Sequence, residues 1–141
     1  MGKLNTYLAS LAVLNVKLHN LHWNLRGGDF ITLHKFTEEL YEQAFKAYDA
    51  VAELLKMKQE FPLTSMKDYL ENSIIAEAPS KHYTIPEVLE ILLQDYDKMY
   101  IFAKEIRHIA DENGENSIVA AFDDYLAEYE KNLWFIRAMK E

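Results

Sequence analysis

Apolar residues at Leu4, Tyr7, Leu11, Leu14, Leu18, Leu21 and Leu25 advance by threes and fours without a break. That step follows one face of a helix with 3.6 residues per turn and does not fit a strand. Asn5, Asn15 and Lys17 interrupt the other faces. The stretch therefore reads as an amphipathic helix and not as a secretion signal, although Lys3 does precede the apolar Tyr7–Val13. Gly27-Gly28 ends it, and a second helix is expected over roughly Thr32–Lys58. From Gln59 to Thr84 the pattern dissolves, leaving Pro62, a Ser65-x-x-Asp68 cap signal, a short helix through about Glu71, and Pro79. Thr84 with Pro86 starts a third helix, whose apolar positions Val88, Leu92, Tyr96, Met99, Phe102, Ile106 and Ile109 lead to Asn113-Gly114. A fourth follows directly on Ile118, Phe122, Tyr125, Tyr129, Leu133 and Ile136.

The interrupted stretch decides the topology. Antiparallel bundle neighbours are usually joined by about 2–8 residues, so a link of about 25 predicts a crossover that leaves the third helix parallel to the second. The fold class expected is all-α, a ferritin-like four-helix bundle with a short extra helix in the crossover. A chain of 141 residues with half its residues apolar and only 4 Gly and 3 Pro suits a single such domain over 1–141. The absence of cysteine excludes disulfides, thiolate zinc sites and Cys nucleophiles, and agrees with a cytoplasmic setting. A net charge of −8 and the lack of any Lys/Arg run argue against a broad phosphate-binding surface. No apolar run approaches the length of a membrane span. Met1-Gly2-Lys3-Leu4-Asn5-Thr6 fits a loose acylation pattern and is read as a chance match.

Five residues on the first and second helices stand out: His22, which closes the first, and His34, Glu38, Asp49 and Glu53 on the second. His34/Glu38 and Asp49/Glu53 are two i,i+4 pairs. At 100° per residue, these four fall within roughly a 100° face of the second helix. Residues 34 and 53 are nonetheless about 28 Å apart along the axis, far beyond the ~4 Å diameter of a coordination sphere. A second copy crossing antiparallel about a two-fold axis would bring residue 34 of one chain to residue 53 of the other, because an isologous interface pairs i with j and j with i. Tyr41 and Phe45 lie near the midpoint of the same face and offer apolar contact. The pattern predicts a pair of His/carboxylate metal sites between subunits, and leaves iron, manganese and zinc open.

The bland reading of each feature competes with this one. A face bearing Glu38, Glu42, Asp49 and Glu53 is, by charge alone, a solvated face. Two features weigh against it and leave both readings open: His22 and His34 are borderline-soft ligand types beside hard carboxylates, and Tyr41, Phe45 and Ala52 make the same face more apolar than simple exposure suits. His19, three residues before His22, offers a second ligand but reads in preference as surface or near-site, and Trp23 as core or interface. Glu105-x-x-His108 matches half of a di-iron bundle signature, but a second copy of the motif is lacking, so the pair reads as surface. His82 reads as a solvated loop residue. No phosphate-binding glycine loop or nucleophile elbow is present.

The runs Leu18-His19-Asn20-Leu21-His22-Trp23-Asn24-Leu25-Arg26-Gly27, Phe30-Ile31-Thr32-Leu33-His34, Glu38-Glu39-Leu40-Tyr41 and Asp49-Ala50-Val51-Ala52-Glu53 resemble the signature of the Dps family, the mini-ferritins. The likeness extends over nearly the whole chain, including Met66–Glu71 and Glu130–Trp134. The resemblance implies that His22, His34, Glu38, Asp49 and Glu53 bind iron between two subunits. It further implies two-fold dimers assembled into a hollow dodecamer that oxidises Fe(II), preferably with hydrogen peroxide over oxygen, stores the ferric product as mineral, and so protects against oxidative stress. Trp23 would quench escaping radicals, and Glu115 and Asp124 would line pores for iron entry. The competing class is a non-catalytic shell or nucleoid protein with a weak or altered site.

This chain departs from the family pattern at several positions. Glu38 stands where Asp is more usual, Ala120 replaces a pore acid, Asn132 replaces a frequent His, and Gln59-Glu60 replaces a Gly-Gly. The first helix begins within a few residues of Met1 with no lysine-rich tail ahead of it, and no DNA binding is expected.

Overall fold

The computed structural model describes residues 2–141 and is all-α apart from one two-residue pairing. In chain order the elements are α1 (Gly2–Asn24), β1 (Leu25–Arg26), α2 (Phe30–Met57), α3 (Met66–Asn72), β2 (Tyr83–Thr84), α4 (Ile85–Glu112) and α5 (Asn116–Lys140). Two compact units are formed, Met1–Val88 and Leu89–Glu141.

In the first unit α1 and α2 lie antiparallel. Asn15 Nδ2 donates to the Tyr41 carbonyl at 2.9 Å and His22 Nδ1 to the His34 carbonyl at 2.7 Å. Between the helices Tyr7, Leu8, Leu11, Leu14, Leu18 and Leu21 of α1 meet Leu33, Leu40, Val51 and Leu55 of α2, all buried. Each such side chain contributes about 1.5–3 kcal/mol of transfer free energy. The stripe expected from sequence is thus the core, with two boundary corrections. Helix α1 stops at Asn24, and Leu25 is buried as part of β1 instead of continuing the helix to Gly27. Helix α2 starts at Phe30 and not Thr32.

The long link runs back along α1, held by that helix's polar residues. Asn5 donates to the Phe61 carbonyl at 3.1 Å and accepts from Leu63 N at 2.9 Å; Ser10 Oγ accepts from Ile74 N at 3.0 Å; Asn20 Nδ2 reaches the carbonyls of Ala78 and Pro79 at 3.1 Å. Within it, Ser65 caps α3 by accepting from Asp68 N at 3.2 Å, as its spacing predicts. β2 then pairs in parallel with β1, Leu25 opposite Tyr83 and Arg26 opposite Thr84. The start of α4 is thereby returned to the end of the unit where α2 begins, which is the crossover expected. Gly27 makes room for this: its φ is +145°, and a Cβ there would lie 3.1 Å from Ile85 Cγ1.

In the second unit α4 and α5 form a hairpin through Asn113-Gly114, with Gly114 at φ +70°. Ion pairs and hydrogen bonds run its length: Glu90 with Lys140, Tyr100 with Glu130 at 3.2 Å, and Arg107 with Asp123 at 2.9 Å. Leu92, Tyr96, Met99, Phe102 and Ile106 of α4 and Ile118, Phe122, Tyr129, Leu133 and Ile136 of α5 are buried, and Tyr96 meets Tyr129 edge-on at 5.7 Å. Ile109 was expected to extend this stripe but is 37% exposed, because the inward face passes from Ile106 to Ala110, a step of four and not three.

Helix α4 is started by a reciprocal cap. Thr84 N donates to Glu87 Oε1 at 3.2 Å, Glu87 N donates to Thr84 Oγ1 at 3.3 Å, and Lys81 Nζ sits 2.8 Å from Glu87 Oε2. The Lys81 hydrogen bond, then those from Thr84, hold the Glu87 carboxyl well below its usual range, at about 2. A carboxyl depressed on folding stabilises above its unfolded value near 4.5, and that contribution disappears as pH falls toward 2. Glu87→Gln is therefore expected to lower the urea midpoint at pH 7, with the difference from wild type narrowing between pH 4.5 and 2. A difference that stays constant across that window would remove the charge from the account.

Candidate metal centre

The end of α1 and the start of α2 are locked together by two imidazoles. His22, 5% exposed, donates from Nδ1 to the His34 carbonyl at 2.7 Å and lies 3.0 Å from Thr37 Oγ1; His34 donates from Nδ1 to the His22 carbonyl at 2.9 Å. Thr37 Oγ1 itself donates to the carbonyls of Leu33 at 2.8 Å and His34 at 3.1 Å. The two rings stack at 3.7 Å with 14° between planes, and Phe30 covers the outer face of His34 at 5.0 Å. A carbonyl can only accept, so both histidines carry their proton on Nδ1 and keep the Nε2 lone pair free. Holding the tautomer through the far nitrogen in this way is what a metal-ligating histidine requires.

Burial is the largest influence on His22 and lowers its pKa below 6.5; the hydrogen bond to the His34 carbonyl opposes it, His34 and His19 push the same way as burial, and Glu38 pushes back. The ring is neutral near pH 7 and available to a cation. Around it the aromatic packing is dense. Tyr41 stacks on His19 at 3.8 Å and meets His22 edge-on at 5.2 Å, while His19 anchors its Nδ1 to the Asn15 carbonyl at 2.7 Å. The Tyr41 phenol is pushed up by burial first, then by the charges of Glu38 and Glu42 and a hydrogen bond to Glu38. His19 is therefore a near-site residue.

The carboxylates fall into two groups. Glu38 lies close enough to the imidazoles to act on His22 electrostatically. Asp49 and Glu53 are exposed farther along the same unbroken α2, about 16 and 22 Å beyond Glu38 along the axis. Among the described residues, no three His, Asp or Glu side chains converge to hold a cation. The chain thus brings His22 and His34 together near Glu38, and does not bring Asp49 or Glu53 to them. Phe45 lies between the two groups with 62% of its surface exposed.

Trp23, read as core or interface, is 68% exposed and so is not in this chain's core; it sits at the last turn of α1 with its ring tilted at 5.4 Å from His19. His82 is an exposed loop residue. Glu105 is exposed and His108 pairs with Glu112 at 3.5 Å, a surface arrangement as expected. Glu115 is half-buried at the start of α5, Asp124 and Ala120 are exposed on that helix, and Asn132 is buried. Sequence reasoning overlooked Thr37, whose place one turn after His34 was the available signal.

The sequence matches the ferritin family, described as a ferritin-like domain, over residues 1–141. It is 35% identical over 135 residues to "DNA protection during starvation protein 2" of Bacillus anthracis, covering 96% of this chain and 92% of that one. It is 31% identical over 130 residues to the "DNA protection during starvation protein" of Helicobacter pylori, covering 92% and 90%. Among solved structures, a Dps protein from Bacillus brevis superposes with a TM-score of 0.94 at 33% identity, covering 99% of this chain and 93% of that one. The chain belongs to the Dps family. Its fold is accordingly the ferritin-like bundle with a short extra helix that the periodicity and the long link predicted. A further Dps, from Listeria innocua and soaked with zinc, matches with a TM-score of 0.93 at 30% identity over 98% of this chain and 93% of that one.

In this Dps-family chain the imidazole geometry has a spectroscopic signature. Protonating a histidine whose pKa is lowered on folding opposes the fold, so His22 costs stability as pH drops through 6.5. Nitrogen–proton correlation NMR of the metal-free protein is expected to give His22 a midpoint below 6.5 and the Nδ1–H form for both His22 and His34. A proton on Nε2 of either ring would contradict the arrangement.

Proposed function

We propose that this protein is an iron-storage and detoxification protein whose ferroxidase sites lie between subunits, with His22, His34 and Glu38 from one chain and Asp49 and Glu53 from its partner. The single observation carrying the reading is the reciprocally anchored imidazole pair with both Nε2 atoms left free, on a helix whose remaining carboxylates are too distant to serve the same ion. Two chains crossing antiparallel about a two-fold axis supply both halves, twice. The exposed Phe45 between the halves would be covered in the same step.

The donor set suits the reaction. Neutral imidazoles hold Fe(II), and the hard carboxylate oxygens of Glu38, Asp49 and Glu53 favour the higher charge of Fe(III), so oxidation is favoured in place. Zinc or manganese would bind the same donors without turnover. Hydrogen peroxide, in preference to oxygen, accepts two electrons from two irons without releasing hydroxyl radical. Fe(II) is both substrate and cargo here, and the ferric product is stored inside a dodecamer. The acidic balance of −8 favours cation approach, with Glu115 and Asp124 as the entry-pore carboxylates. Among the described residues no helix is long and apolar enough to cross a membrane; a cytoplasmic location is part of the reading. Several relatives are named for protecting DNA in starvation. Removing Fe(II) and peroxide together achieves protection without contact, and the net charge argues against contact.

Mixing subunits tests the trans arrangement. His34→Ala and Asp49→Ala homo-oligomers are each expected to lose most peroxide-driven Fe(II) oxidation, followed by absorbance. Co-assembled, they rebuild one intact site per mixed dimer, so about half of the dimer's sites should recover. No recovery on mixing, or wild-type rates in the His34→Ala/Asp49→Ala double variant, would overturn the assignment. In a low-salt gel shift the assembled protein is expected to leave duplex DNA unretarded; condensed DNA would reverse that part.

A further inference from the structure

Two tyrosines outside the ligand set are joined in an unusual way. Tyr48 on α2 and Tyr69 on α3 share a hydrogen bond between their hydroxyls at 2.5 Å, with rings edge-to-face at 5.9 Å and 78°. Tyr69 is 5% exposed, whereas Tyr48 is half-buried. Tyr48 immediately precedes Asp49, just as Trp23 immediately follows His22. Tyr69 and Trp23 both line one cavity of about 280 Å³ between α1 and α3.

We propose that Tyr48 and Tyr69 form a hydrogen-atom relay that carries a one-electron oxidising equivalent from the iron site to the buried ring of Tyr69. The site in question is the one proposed above, and the relay rests on that reading for its oxidant. When one Fe(II) meets peroxide alone, Fe(II) + H2O2 gives Fe(III), hydroxide and a hydroxyl radical. Tyr48, the outer phenol, reacts first: the radical takes its hydroxyl hydrogen, giving water and the Tyr48 phenoxyl. The Tyr69 hydrogen then crosses the 2.5 Å gap, restoring Tyr48 and leaving the phenoxyl on Tyr69. Atoms and electrons balance at each step with no further reactant. The second step exchanges like for like, a phenol and a phenoxyl on either side, so only the short oxygen–oxygen distance is needed to make it fast. Burial first, and then Tyr48, hold the Tyr69 phenol well above its ordinary pKa. Its proton therefore leaves only together with the electron. The reactive ring is thereby kept from solvent, while the outer ring is returned to its reduced form. A merely structural pair would pin α3 to α2 equally well but would not collect a radical.

The assembled full-length protein is tested in two arms. In the first, the metal-free protein is oxidised with azide radicals and followed at the phenoxyl absorbance; in the second, Fe(II) and hydrogen peroxide are mixed and freeze-quenched for electron paramagnetic resonance, with ring-deuterated tyrosine identifying tyrosyl signals. The expected result in both arms is one dominant tyrosyl spectrum, lost or changed in shape in Tyr69→Phe and reduced at least threefold in Tyr48→Phe, with the Fe(II) oxidation rate unchanged in either variant. An unchanged spectrum and yield in Tyr69→Phe, or an indole radical alone, overturns the relay. Thermal unfolding of both variants identifies a misfolded one, and the other then decides. Should wild type fail to oxidise Fe(II) yet form the Tyr69 radical with azide, the hydrogen-atom transfer between the two phenols stands, and the ferroxidase reading falls together with iron as its oxidant.

Discussion

Two helix ends are held by two side chains that each satisfy the other's backbone. The last carbonyls of a helix have no partner within it, and in α1 the carbonyl of His22 is given one by His34 Nδ1. In return His22 Nδ1 and the Thr37 hydroxyl converge on the carbonyl of His34 near the start of α2. Orienting these imidazoles and joining the helices are thus the same set of bonds. A substitution that removes either ring loosens the turn between α1 and α2 and disorients the other ring, so the two histidines act as a unit.

Much else in the first unit follows from where that lock sits. With α1 and α2 fixed antiparallel at one end, their apolar stripes meet along their length, and the polar residues of α1 are left facing the returning link. Asn5, Ser10 and Asn20 then stitch that link down step by step. Its arrival is fixed by the two-residue pairing of β1 with β2, by Tyr83 donating to the Pro79 carbonyl at 2.5 Å, and by the Thr84/Glu87 cap. Each contact is small. Their sequence along α1 leaves the chain one register in which all are made at once.

The helices were legible because burial imposes a period, and the period is strongest where one face carries large aliphatic residues, as from Leu4 to Leu21. It failed where the period bends: Leu25 continues the numerical pattern but belongs to β1, and the stripe of α4 turns to Ala110 one residue past Ile109. The pairing of β1 with β2 had no signal at all, since two residues are too few to show alternation and their partners lie 58 positions away. The stitching role of Asn5, Ser10 and Asn20 was hidden for a similar reason, because polar residues on a helix look solvated until the partner strand of chain is known. At the site, the spacing of His34, Glu38, Asp49 and Glu53 was legible as geometry on one rod. The tautomers of His22 and His34 and the part of Thr37 were not, as they depend on carbonyls brought in from the opposite helix.

The gap along α2 between the imidazoles and the last two carboxylates bears on the order of events in a cell. If Asp49 and Glu53 serve only a neighbouring copy, a newly made subunit holds half a ligand set and has little grip on ferrous ions. Metal chemistry would then be withheld until two copies meet. Distance along a single rigid rod would in that way act as a timer, coupling the onset of reactivity to the progress of assembly.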